Sequence, residues 1–299
     1  MKLIIKSNTL IIKKIVAIIL LIVSLFLIAY PFLSNVIYDS MNSNLIDDYS
    51  DSVSNKSEEE ISDFTLDIND YNKLISESHI QLTDPFINDT NNTSYNYRIL
   101  AESGEVMGIL EIPSISLEVP IFFGTSDDVL QRGIGHLNGT SIPAEGKSVH
   151  SVLCGHTGSS NSRLFTDLDK VEKGERFYIN INNRTLTYEV VDIMITDPSE
   201  TDMLTVVNGK NYTTLYTCTP YGVNTHRLLV KGELTEFDEN KYEDEKAGFI
   251  ESIISSTWFQ EYFKALLGGI FITLIIYTLV KITGLMKRKI KRRRTETGF

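Results

Sequence analysis

Three residues of this 299-residue chain have the types that acyl transfer through a thiol requires: Cys218, His156 and Arg227. Cys218 closes the apolar run Thr214-Leu-Tyr-Thr-Cys218 and precedes Thr219-Pro220-Tyr221-Gly222, a strand end followed by a turn signal. A thiol in that position is held rigidly and can still open to solvent. His156 stands in Cys154-Gly155-His156-Thr157-Gly158, again at a strand end, between glycines that let backbone or substrate approach closely. Arg227 follows nine positions after Cys218 and opens the next strand, Arg227-Leu-Leu-Val-Lys-Gly, so that a hairpin brings both residues to one rim. Together they supply a nucleophile, an imidazole that shares its proton and later protonates a leaving amine, and a fixed positive donor for an oxyanion. Arginine fills only the last role, because it does not deprotonate. Singly, each has an ordinary reading: a free cysteine is most often a small buried hydrophobe, a lone histidine is most often structural, and surface arginines are common.

The elements that must position these residues begin at Val106. From there the chain reads as short apolar or alternating runs separated by Gly and Pro: VMGILEIP, LEVPIF, SVLCGH, RFYINI, LTYEVVDIMI, YTTLYTC and RLLVKGEL. Seven or eight strands at short intervals with few helices between them predict a mainly β barrel or sandwich. Thr125-Ser-Asp-Asp before Val129 and Leu130 predicts a capped short helix, and Asn182-Asn183 predicts a hairpin turn. Two cysteines in an exported chain provide no disulfide framework, so a core must hold the fold.

Export follows from the ends. Residues 15–33 carry no charge over about 19 positions, close to the length that spans a bilayer as helix, and a second apolar run lies within 263–283. Lys2, Lys6, Lys13 and Lys14 precede the first, and a tail with seven Lys and Arg between 287 and 294 follows the second. Flanks of that kind stay in the cytoplasm, so residues 1–14 and 284–299 are expected inside and the middle outside. The first run reads as a transmembrane helix or uncleaved signal anchor; a cleaved signal peptide is the alternative, but the run is long for one and no A-x-A site follows. The expected order is then a polar stalk at 34–62, too rich in Ser, Asn, Asp and Glu to fold alone, a mixed segment at 63–104 with a helix, a loop and a second short helix, a catalytic unit at 105–235, and an acidic linker at 236–262. The net charge of −11 divides into +4 from the N-terminal lysines, +7 from Lys281 onward (eight bases against Glu296) and roughly −22 for the rest, which argues against a nucleic-acid partner for the exposed part. The basic tail fixes topology and can touch anionic membrane lipid.

The residues now on the page resemble the sortase family of cysteine transpeptidases. The resemblance runs from Val106 to Glu233 and rests on L-E-I-P-S-I at 110–115, the stretch from Gly124 to Pro143, G-H at 155–156, T-L-Y-T-C at 214–218 and T-P-Y-G-V-N-T-H-R-L-L-V from Thr219. It implies a closed eight-stranded β-barrel whose rim carries His156, Cys218 and Arg227 in the three roles above. It also implies a reaction without cofactor or metal: the thiolate attacks the Thr carbonyl of an LPxTG-like sorting signal, the Thr-Gly amide breaks, and an amine resolves the thioacyl enzyme. Apolar runs at both ends, a long segment before the barrel and Asp84-Pro85-Phe86 within it are similar to the pilin-polymerising class C members. In that class an Asp-Pro-aromatic lid covers the empty site, so Asp84 would meet Arg227 and Phe86 would lie against Cys218; outside this context Asp-Pro is an ordinary turn opener. The partners so implied are pilins or surface proteins bearing the sorting signal, with a pilin lysine as acceptor. Attachment to a peptidoglycan precursor, a plain cysteine hydrolase, and a non-catalytic membrane-tethered adhesion or scaffold ectodomain are the other readings.

Cys154 departs from the small residue the family usually has there; it reads as a buried filler, with a disulfide to Cys218 as the alternative. Cys154, His156, Cys218 and His226 have the residue types of a zinc site, but His226 adjoins Arg227 on a strand and neighbouring side chains face opposite sides. His136 resembles a structural position of the family. His79 and His150 have no neighbours in sequence that suggest chemistry, and the Asn-x-Ser/Thr sequons at Asn91 and Asn138 carry no assignment.

Overall fold

A computed structural model describes residues 40–78, 80–87, 104–157 and 164–247, with scattered positions between 15 and 38 and between 263 and 282. Met1–Ser256 and Thr257–Phe299 are separate compact units, and the first holds every element below. No described helix is long and apolar enough to cross a membrane. Much of 15–33 and 263–283, the basic tail, His79 and Asn91 lie outside the described residues.

Eight strands form a closed barrel: β1 (Val106–Ile112), β2 (Leu117–Phe123), β3 (Ile134–His136), β4 (Val149–Cys154), β5 (Arg176–Ile181), β6 (Arg184–Thr196), β7 (Asn211–Thr219) and β8 (His226–Thr235), in the spatial order β1-β2-β3-β4-β7-β8-β6-β5. Closure pairs every strand on both sides and leaves no open edge. The β2–β3 and β4–β7 contacts are parallel; the rest are antiparallel. Seven strands coincide with the apolar runs, whereas β3, three residues long, is too short for any periodicity to show. Asn182 and Asn183 turn the β5–β6 hairpin with φ of 47° and 60°, the left-handed pair that a two-residue hairpin demands. Helix α3 (Asp127–Arg132) starts where its cap predicts, with the Val129 amide donating to Ser126 Oγ.

The barrel packs two apolar groups on opposite faces of its walls. Leu110, Ile121, Leu153, Phe177, Leu215, Leu228 and Val230 belong to the large one inside. Val152, Cys154, Tyr216 and Leu229, which alternate with those residues on the same strands, belong to a smaller group outside, together with Leu82 and Phe86.

The segment expected as a polar stalk is largely helical: α1 spans residues 40–54, and α2 (Glu58–Glu77) begins inside it, behind a capping box of Ser57 and Glu60. The barrel supplies the surface that this composition lacks by itself. Val53 is buried, and the Tyr49 hydroxyl donates to the Met107 carbonyl at 2.9 Å. On α2, Ile68 and Ile75 are buried, and between them Asn72 acts as a strand partner, donating to Ile142 O and accepting from Ile142 N, both at 2.8 Å. Helix α2 thereby delivers residues 80–87 across the outer face. Part of the expected acidic linker is helical as α4 (Glu239–Ala247), docked where Tyr242 donates to Glu111 at 3.0 Å.

Candidate active site

Strand register sets the three candidate residues in one row. Cys218 of β7 lies opposite Arg227 of β8, and Cys154 of β4 lies beside Tyr216 of β7. The parallel pairing continues past β4, with Gly155 N donating to Tyr216 O at 3.1 Å, so His156 reaches the level of Cys218. Residues level with one another on neighbouring strands point to the same side, here the outside of the barrel. The order across the wall is His156, Cys218, Arg227.

Inward-facing neighbours fix that row. Thr217 donates to Gly155 O at 2.6 Å and shares a 2.7 Å bond with the Thr157 hydroxyl, while Phe165 N donates to His156 O at 3.1 Å. A side chain at Gly155 would come within 2.6 Å of Ile134 Cδ1 and 2.8 Å of Phe165, so the backbone carrying His156 packs against the core as only glycine allows. Arg227 Nη1 donates to the carbonyls of Asn224 (3.1 Å) and His226 (2.9 Å), which leaves Nε directed at the site.

Residues 80–87 lie over this row. Leu82 is seated among the outer apolar residues, and its carbonyl accepts from Thr201 Oγ1 at 3.0 Å. Asp84 Oδ2 accepts from Arg227 Nε at 2.5 Å, and each of those two side chains is only 4 % exposed. The Tyr216 hydroxyl donates to the same oxygen at 2.9 Å, and the Phe86 amide donates to Oδ1 at 2.7 Å. The Phe86 ring sits 5.4 Å from the His156 ring, is stacked 6.0 Å from Tyr216 and lies 5.4 Å beneath the Arg227 guanidinium. Phe86 thus packs against His156, Tyr216 and Arg227, the residues that flank Cys218, itself 7 % exposed.

Burial under the segment governs the charges. It pushes the Cys218 thiol up; Arg227 pulls it back and the Asp84 carboxylate adds to the rise. Burial likewise holds His156 below the ordinary histidine range, against the opposing pull of Asp127. Burial disfavours the Arg227 charge too, but the Asp84 bond and the site's other negative groups more than offset it, so its proton is held more tightly than in a free arginine. The cover therefore favours the neutral thiol and the neutral imidazole beside the Arg227–Asp84 ion pair.

Cys154 and Cys218 are both free thiols. Cys154 is fully buried on the outer face, and its register places it diagonally from Cys218, one strand repeat short of the level at which His156 stands. His226 is exposed and bonds the hydroxyl of its neighbour Thr225; no metal-binding cluster occurs among the described residues. His136 and His150 are buried and structural: His136 bonds Ser141 O at 2.8 Å, and His150 bridges Thr205 O (2.7 Å) and Thr214 Oγ1 (2.8 Å). The residue that sequence reasoning passes over is Tyr216. Its only signal is position, two before Cys218 on one strand and hence on the same face.

The fold and the row together define a cysteine acyl-transfer centre on the wall of a closed barrel, and the comparisons with known proteins name its family. A model for the sortase domain matches residues 110–235. Sortase D of Bacillus subtilis is 33 % identical over 149 residues, 49 % of this chain and 72 % of that protein. Among solved structures, sortase C of Clostridium perfringens with its C-terminal cell wall sorting motif is 41 % identical, covering 65 % of this chain and 100 % of that one at a TM-score of 0.58. Sortase C of Streptococcus pneumoniae is 33 % identical over 65 % and 97 % of the two chains at 0.59. This chain belongs to the sortase family, the cysteine transpeptidases, and its structural neighbours are class C sortases.

Proposed function

We propose that the chain is a pilin-joining sortase, and the observation that carries the reading is the seat of Asp84 and Phe86 over the row of His156, Cys218 and Arg227. Cys218 is the nucleophile, His156 the acid and base, and Arg227 the stabiliser of the tetrahedral oxyanion. Asp84, Pro85 and Phe86 form a lid that an LPxTG-like sorting signal displaces. Opening it removes burial and the Asp84 charge from Cys218 and leaves Arg227 beside the thiol, so ionisation becomes easier. Cys218 passes its proton to His156, the thiolate attacks the Thr carbonyl while Arg227 holds the oxyanion, and His156 gives that proton to the departing Gly amine as the Thr-Gly bond breaks. A lysine amine of a pilin subunit, deprotonated by His156, attacks the thioester and restores the thiol. The protein is anchored in the cell membrane by its two apolar ends, with the barrel outside.

Intact-mass analysis tests the reading on the full chain in detergent with Asp84→Ala and Phe86→Ala, incubated with LPxTG-like peptides. The expected result is an acyl adduct that is lost in Cys218→Ala and discharges onto an added amine. Discharge onto water alone would make the protein a hydrolase, and discharge onto a peptidoglycan-type amine in preference to lysine would make it an anchoring sortase. Cys218 inert to both peptide and alkylating reagent would leave a scaffold.

A further inference from the structure

One oxygen of the lid is held in a way that exceeds what an ion pair needs. Asp84 Oδ2 takes a hydrogen bond from Arg227 Nε and a second from the Tyr216 hydroxyl, while the other carboxylate oxygen is satisfied by the backbone of Phe86. The two donors come from different strands, β8 and β7, and converge on a single point of the outer face. Burial and the adjacent Asp84 carboxylate push the Tyr216 phenol above its usual range, which keeps the hydroxyl protonated as a donor to the lid. Tyr216 is also the floor on which Phe86 stacks.

When the lid leaves, both donors lose their acceptor at once. Both then face solvent, and a bound peptide that excludes water from the seat must satisfy them or leave buried donors unpaired at a cost. We infer that Tyr216 is a substrate-positioning residue: its hydroxyl, released from Asp84 Oδ2, binds a backbone carbonyl oxygen of the acyl donor, which leaves Arg227 Nε to the oxyanion, while its ring supports the apolar side chain that replaces Phe86. The inference rests on the transpeptidase reading above. Tyr216 stands one strand repeat, about 7 Å, from Cys218, so its bond is made to the bound peptide before reaction and serves binding more than the chemical step.

The test uses the full chain in detergent carrying Asp84→Ala, which opens the seat, with and without Tyr216→Phe, which keeps the ring and removes only the hydroxyl. Acylation kinetics with an LPxTG-like peptide should show kcat/KM lowered about tenfold by the loss of the hydroxyl, carried by KM, with kcat within about twofold. The rate of Cys218 alkylation by iodoacetamide, which does not use the seat, should be the same in both proteins. Unchanged kcat/KM overturns the inference. So does a fall carried by kcat, or a parallel fall in alkylation, because either would place Tyr216 at the thiol. If the Asp84→Ala protein reacts with iodoacetamide but acylates with no peptide, the transpeptidase reading fails and this inference with it; an acylating parent indifferent to Tyr216→Phe fails the inference alone.

Discussion

The inner and outer faces of β4, β7 and β8 are made by alternate residues of the same strands, yet they are covered in different ways. Leu153, Leu215, Leu228 and Val230 point inward and are enclosed by the opposite wall of the barrel, which moves only if the protein unfolds. Cys154, Tyr216, Cys218, Arg227 and Leu229 point outward and are covered by residues 80–87, held through a few polar bonds and a small apolar contact. The two faces are about equally dry, but one is dry permanently and the other conditionally. A thiol can be kept neutral and shielded on the second face and still be made reactive, which the first would never allow.

The largest effect expected from this contrast is on chemistry. In the lid-opened protein, Arg227→Ala should lower acyl transfer by about a hundredfold to a thousandfold, measured by adduct formation, with the barrel still folded by circular dichroism. An inward substitution reverses the pattern: Leu215→Ala should cost about 3 kcal/mol of global stability, read by chemical denaturation, while leaving the reactivity of Cys218 in the folded protein unaltered.

Not all of the outer face opens. His150 shares that face with Val152 and Cys154 but lies beneath the 197–210 connection, and burial holds it, like His136, at about 4. Both are neutral in the folded protein, whereas the unfolded chain takes up their protons below about 6.5. Stability from these two residues is therefore complete above pH 6.5 and is lost as pH falls toward 4, by about 2 kcal/mol for each at pH 5. Thermal melts across that range check the sign, and His150→Gln should flatten the slope. If the slope persists unchanged in His150→Gln, that part of the face is more open than its hydrogen bonds indicate.

Breaking the conditional cover should have the mildest consequence. Asp84→Ala should raise the rate of Cys218 alkylation about tenfold and move its pH midpoint downward, since burial and the Asp84 charge both push the thiol up in the covered state. Global stability should change by less than about 1 kcal/mol, because the lid can leave without unfolding the barrel. A large loss of stability would mean that the lid belongs to the core.

Much of this was legible before any coordinates. Seven of the eight strands, the α3 cap, the Asn182-Asn183 hairpin and the strand-end positions of His156, Cys218 and Arg227 are written in local patterns: alternation, capping chemistry and turn residues act over a few positions. The helix expected within 63–104 is present as α2, but its start at Glu58 and helix α1 were not legible, because a segment this polar becomes ordered only against a surface that lies far away in the chain, as Tyr49 with Met107 demonstrates. Strand β3 was too short to announce itself.

The sequence by itself determined which residues could do the chemistry and which face of each strand they share, since side chains alternate with a period of two whatever the surroundings. Only the tertiary structure decided that the row lies outside the barrel, through the parallel β4–β7 register that brings His156 level with Cys218, and that Asp84 and Tyr216, 132 residues apart, meet at one oxygen. Register between distant strands depends on how the whole barrel closes, and no local pattern encodes that.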